Sequence, residues 1–268
     1  MSLKRFIFSF LLISFPSLFL KCQLVHPKYL KGETYAVVVG ITDYQEDQLD
    51  LSVASNDAIQ MADYLAKHGF PALDNDHMQI LTDHRATKNN ILAAVTWAAR
   101  MAGKDDRIVF FFSGHGAPEG LAASDFNTLT GENLVYHSSI KTLLKRSKSS
   151  QMLMIVDACH SGASESAFYM GAVSDMLKDY RNSGITMLLS SSASQSSLEY
   201  GTVGLSYFTH YLLEGINQGF ANKNGDNMIT IQEAFDYVKL NVDVLTEGTQ
   251  TPQKAGDFDR SIVMRLIK

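Results

Sequence analysis

The sequence predicts an α/β fold, a mostly parallel six-stranded sheet with helices on both faces. Two observations predict it. Short runs of bulky apolar residues, of the length of fully buried strands, recur along the chain and stop abruptly at Gly, Ser, Thr or Asp. Between several of them lie longer segments whose apolar residues return at three- and four-residue intervals. Strands that alternate with helices imply right-handed crossovers and a sheet covered on both sides.

Taken in order, Tyr35–Ile41 is a β-branched run closed by Gly40 and the turn-like Thr42 and Asp43, hence a strand. Ser52–His68 carries a helical period through Val53, Ala54, Ala58, Ile59, Ala62 and Leu65, and ends at Gly69. His77–Leu81 is a short strand. A helix follows from Thr87, its cap, to Ala102, with Gly103 as its stop. Arg107–Phe112, Gln151–Val156 and Ile185–Leu189 are further strands. Tyr207–Ile216 and Ile231–Val244 are helical, and Ser261–Ile267 is a last strand at a sheet edge. No linker-like composition or internal repeat divides residues 28–268, which read as one domain.

Composition excludes several classes. Of 268 residues, 46% are hydrophobic and 19% charged, enough to bury a large core. The net charge of −5 argues against nucleic acid as a general partner. Residues 1–22 read as a signal peptide: Lys4 and Arg5 precede an uncharged apolar stretch, Phe6–Leu20, that is short for a membrane span. The reading implies an exported protein without stable membrane association after signal removal. Lys21 before Cys22 argues against a lipoprotein. Cleavage after Cys22 would leave Cys159 as the one cysteine, unable to form a disulfide within the chain.

The candidate chemistry lies where two strands end. Gln151–Val156 stops at Asp157, Ala158, Cys159, His160, Ser161 and Gly162; Arg107–Phe112 stops at Ser113, Gly114, His115 and Gly116. Open α/β sheets place their ligand crevice at the carboxyl ends of the strands. Two adjacent parallel strands ending this way would bring a thiol and an imidazole to one cleft. His115 would take the proton of Cys159 and return it to the leaving amine. A thiolate beside an imidazolium has its pKa lowered from about 8.5 toward roughly 3.5–7.5. The N–H groups of Gly116 and Cys159 would hold the oxyanion. His160 adjoins Cys159, but neighbours in an extended segment point to opposite sides, so His115 is the better base.

The motifs SGHG at Ser113–Gly116 and DACHSG at Asp157–Gly162 resemble the His and Cys motifs of caspase-like cysteine peptidases. Asp157, His160 and Ser161 place the chain nearer to metacaspases and bacterial caspase-like proteins than to animal caspases. The similarity covers most of Tyr35–Lys268 and includes Tyr35–Ile41, Asn56–Asp57, SSSASQ at Ser190–Gln195 and Tyr207–Gly215. It implies a three-layer caspase-like sandwich and an endopeptidase cutting after Arg or Lys. Asp57, Ser113 and Asp157 are its implied substrate-binding residues, since a carboxylate floor suits a guanidinium or ammonium group. It further implies a protein or peptide substrate and a monomer; several relatives are activated by a cut in the stretch matching Ser161–Gly184, but Lys178 and Arg181 there read as ordinary solvated residues. The final strand could otherwise pair across a dimer, as in caspases. Two other readings compete: a non-catalytic caspase-like binding or regulatory module, and a thiol hydrolase of small amides.

The dyad requires no cofactor. The acidic calcium cluster of some metacaspases is not recognisable, Ser164 and Ser166 standing where carboxylates would serve. Asn222–Glu233 has the length of a calcium loop, with Asn222, Asn224, Asp226 and Glu233 as candidate ligands. Asn222 replaces the usual Asp and Asn227 the usual Gly. The competing reading, and the preferred one, is a polar turn in which Thr230 caps the next helix and Glu233 completes a capping box.

Overall fold

A computed structural model of the chain describes residues 32–68, 73–117, 119–159, 180–192, 195 and 197–267. The predicted signal peptide, His160, Ser164, Ser166 and Lys178 lie outside the described residues. The strands are β1 (Thr34–Gly40), β2 (Met78–Thr82), β3 (Arg107–Ala117), β4 (Gly120–Ala122), β5 (Leu134–Tyr136), β6 (Gln151–Cys159) and β7 (Ile185–Leu189). They continue with β8 (Glu199–Tyr200), β9 (Leu205–Ser206), β10 (Met228–Thr230), β11 (Gln253–Gly256) and β12 (Val263–Leu266). The helices are α1 (Ala54–His68), α2 (Lys88–Met101), α3 (His137–Leu144), α4 (Tyr207–Asn217) and α5 (Ile231–Leu245).

Strands β2, β1, β3, β6 and β7 run parallel, and β11 closes the row antiparallel beside β7. The predicted six-stranded, mostly parallel sheet is therefore present, and β4 and β5 extend it to eight strands beyond β3. Period-two alternation explains the three layers. Val37, Val39, Ile108, Phe110, Met154 and Val156 face one side, where Ile91, Val95 and Ala98 of α2 and Ile140 of α3 cover them. Val38, Val109, Phe111, Leu153 and Ile155 face the other, against Met61 and Leu65 of α1, Leu212 of α4 and Val238 of α5. Both faces are buried, so the strands read as unbroken apolar runs.

The sixth strand is not the predicted one. The sequence puts Ser261–Ile267 at the sheet edge; β12 instead pairs antiparallel with β10 in a separate two-stranded sheet, and β11 takes the edge. The run IVMRL is apolar enough to be buried, and Val263 and Met264 are, Met264 against the α1 and α5 face. An edge strand needs fewer apolar residues, which is why QKAG carries no signal. Thr87 caps α2 as expected, its hydroxyl accepting the N–H of Asn90.

Candidate active site

The β3–β6 ladder runs without a break from Arg107 opposite Gln151 to His115 opposite Cys159. The predicted strand Arg107–Phe112 thus runs on through SGHG, and the parallel register sets residues 115 and 159 side by side. Glycine at 114 is required by packing: a Cβ there would stand 2.7 Å from the Tyr44 hydroxyl and 3.0 Å from the Phe112 ring. That close approach lets the Tyr44 hydroxyl accept the His115 backbone N–H at 2.9 Å, with the two rings 5.3 Å apart.

The His115 ring is 2% exposed, and its Nε2 lies 2.8 Å from the carbonyl oxygen of Leu49. A carbonyl only accepts, so Nε2 carries the proton and Nδ1 holds the lone pair of the neutral ring. Leu49 ends a 3-10 turn, Asp47–Leu49, fixed by the Tyr44 N–H donating to Asp50. A backbone carbonyl here fixes tautomer and ring orientation, the part an Asp plays in a Ser–His–Asp triad. Gly116 continues β3 and pairs with Leu121 of β4.

Beside the strand ends lie two buried carboxylates, Asp57 and Asp157. Gly40 of β1 lets α1 approach so closely that a Cβ there would meet the Ala54 carbonyl oxygen at 2.4 Å. This puts Asp57 of α1 over Ser113, the register partner of Gly40. Asp57 and Asp157 are both 0% exposed. Asp57 accepts the Ser113 hydroxyl at 2.8 Å and the Ser206 N–H at 2.9 Å. Asp157 accepts the hydroxyls of Ser197 at 2.7 Å and Thr209 at 2.8 Å, and that of Ser206 in a short bond. Among the described residues no Lys, Arg or His pairs with either carboxylate. Burial first, and the charge of Asp157 second, push the Asp57 carboxyl well above the usual carboxylate range.

Four groups around these carboxylates escaped sequence reasoning: Ser197, Ser206, Thr209 and Gln250. Ser206 bridges the two carboxylates with its N–H and its hydroxyl, and caps α4 by accepting the Thr209 N–H; Ser before an apolar helical run was the available signal. Thr209 carried none. Gln250, fully buried, donates to the Ser190 carbonyl at 3.0 Å and the Ser197 hydroxyl at 3.2 Å, and accepts the Leu198 N–H at 2.8 Å. Gln195 adds a second strap, accepting the hydroxyl of Ser192 at 2.7 Å and the N–H of Thr251 at 2.9 Å. The serine run after β7 is held from the α5–β11 connection.

The candidate calcium ligands serve their own turn. The side-chain oxygens of Asn222, Asn224 and Asp226 accept the N–H groups of Gly225, Asp226 and Met228. Glu233 accepts the Thr230 N–H at 2.9 Å while Thr230 accepts the Glu233 N–H, a complete capping box. Asn227 takes the left-handed conformation, φ 63°, that the missing Gly requires.

Residues 33–261 match the caspase domain of peptidase family C14. Metacaspase-1 of Plasmodium falciparum is 27% identical over 48% of this chain and 24% of its own length. Metacaspase-1 of Lodderomyces elongisporus is 27% identical over 55% of this chain and 37% of its own. The chain thus spans about a quarter to a third of these curated relatives. Among solved structures, a protein of Geobacter sulfurreducens superposes with a TM-score of 0.59 at 17% identity, covering 88% of this chain and 100% of that one. Caspase-1 of Spodoptera frugiperda superposes with a TM-score of 0.55 at 14% identity, covering 89% and 93%. These likenesses carry the fold, and the match over residues 33–261 carries the family: the chain belongs to the caspase-domain family of C14 peptidases.

Proposed function

We propose that this chain is an exported cysteine endopeptidase that hydrolyses peptide bonds after Arg or Lys. The observation that carries the reading is the register pairing of His115 with Cys159, with the His115 Nε2 tied to the Leu49 carbonyl. In this account Nδ1 of His115 takes the thiol proton as the Cys159 sulfur attacks the scissile carbonyl carbon. The C–N bond breaks as His115 gives that proton to the leaving amine, leaving a thioacyl enzyme. Water, deprotonated by His115, then attacks the thioester carbonyl; the C–S bond breaks, His115 returns the proton to the Cys159 sulfur, and the carboxylic acid product is released. The N–H groups of Gly116 and Cys159 are assigned to the oxyanion of both tetrahedral intermediates. The chemistry uses the chain's own groups and calls for no cofactor.

Preference for Arg or Lys is supported by two buried carboxylates that lack a cation partner among the described residues. A guanidinium can bond both acids at once, whereas an acidic side chain would be repelled. Export is supported by the basic start and the apolar stretch Phe6–Leu20. The test is hydrolysis of fluorogenic peptides ending in Arg, Lys or Asp by wild type, Cys159→Ala and His115→Ala. Cleavage after Arg and Lys, abolished in both variants, is expected. Cleavage after Asp would overturn the pocket assignment, and activity that survives Cys159→Ala would overturn the mechanism.

A further inference from the structure

The segments that carry α2 and α3 are basic and are bounded by acidic residues, Asp83, Asp105, Asp106 and Glu132, the Asp106 carboxylate accepting the N–H of groove-lining Gly103 at 2.7 Å. Residues 84–104 and 133–156 contain eight Lys or Arg and no Asp or Glu, in a chain whose net charge is −5. These two stretches include α2, α3 and the connection from α3 to β6. Between the helices lies a groove made of two adjoining cavities of about 520 Å³ and 490 Å³, which share Thr96, Leu143 and Arg146. Leu92, Ala99 and Leu143 give it an apolar floor. Arg100, Arg146 and Lys148 stand exposed at its rim. No carboxylate of the described residues pairs with any of the three.

We propose that this groove is a docking site for an acidic polypeptide segment carrying one or two apolar side chains. Charge complementarity fixes the sign of the partner, since cations left unpaired in an otherwise acidic molecule attract carboxylates and repel basic chains. Shape selects its class. A depression that is deeper beside Met101–Gly103 and shallow beside Leu92 and Ser139, with apolar side chains in it, fits one or two side chains of an extended or helical segment. A lipid surface would meet the rim charges and leave the floor empty.

The groove lies away from the candidate catalytic end. Gly103 lines it and shortly precedes β3, whereas His115 is near the far end of that strand. Eight residues separate Arg107 from His115, about 26 Å at about 3.3 Å per residue. Docking there can hold a protein distant from its cut site, and small peptides would not need it.

The experiment titrates the full chain into a fluorescein-labelled peptide of alternating Glu and Leu blocks, followed by anisotropy, with the Gln-for-Glu peptide as comparison. Saturable binding of the Glu peptide, weakened by salt and absent for the Gln peptide, is expected. The double variant Arg100→Glu, Arg146→Glu should weaken it at least about tenfold while hydrolysis of small Arg peptides is unchanged. If that variant does not fold, Lys148→Glu, in the exposed connection after α3, tests the same charge dependence. Equal binding of both peptides, no saturable binding, or a Kd indifferent to charge reversal would overturn the proposal. So would capture by phosphatidylglycerol vesicles without peptide binding.

Discussion

Replacing Asp57 by Asn should make the protein more stable and less active toward basic substrates at the same time. The asparagine side chain is nearly isosteric; its carbonyl oxygen can keep the Ser206 N–H bond at 2.9 Å, and its amide can donate to the Ser113 hydroxyl once that hydroxyl turns to accept. What disappears is a buried carboxyl facing the Asp157 carboxylate. The wild-type carboxyl is raised above its unfolded value, so native Asp57 holds a proton that the unfolded chain has released within that window. Stability from this group is therefore present below the usual carboxylate range and is lost as pH rises through the raised value. Removing it should stabilise by about 1–2 kcal/mol near neutral pH, or about 2–8 °C in Tm, with the gain fading toward pH ~4. Against this, one of two charge-assisted partners for a guanidinium is lost, at about 2–4 kcal/mol. That corresponds to a loss of roughly 30- to 1,000-fold in kcat/KM for Arg peptides. Calorimetry across pH and kinetics on Arg, Lys and neutral peptides read both effects. An Asp57→Asn variant less stable than wild type at neutral pH, or equal losses on basic and neutral peptides, would refute the reasoning.

Three further outcomes follow from the same geometry. Because Asp57 must ionise to pair fully with a bound cation, KM for Arg peptides should fall as pH rises through its raised range, while KM for neutral peptides should not. Steady-state kinetics across pH reads this. Tyr44→Phe removes the acceptor of the His115 N–H and leaves a buried donor unsatisfied, costing about 1–3 kcal/mol; kcat should drop with KM for Arg peptides little changed. Gln250→Leu strips partners from Leu198, Ser190 and Ser197. It should raise KM for Arg peptides about tenfold, more than it lowers kcat, because the damage reaches the pocket through Ser197 and Asp157.

The layers were legible because each main strand is buried on both faces, so YAVVVGI, RIVFFF and QMLMIV announce themselves as apolar runs. The end of β3 was not, since Ser113–Gly116 lacks the bulky apolar residues that mark the strand up to Phe112; it stays extended because β6 offers ladder partners up to Cys159. Asp57 and Ser113 are 56 positions apart, and their meeting rests on Gly40 admitting α1, a contact that no local pattern encodes. Family resemblance named that pair, but it could not name Ser206, Thr209 or Gln250. Hydroxyls and amides are common, and their roles come from which buried acceptor they reach. The sequence points β12 to the wrong sheet because its true partner, β10, is only three residues long.

The most direct test of the account is labelling with a peptidyl-arginine affinity electrophile, located by intact mass and peptide mapping. A single adduct on Cys159 is predicted. It should form faster with Arg than with Asp in the reagent, slow greatly in His115→Ala, and be absent from Cys159→Ala. An adduct on another residue, or equal rates in wild type and His115→Ala, would contradict it.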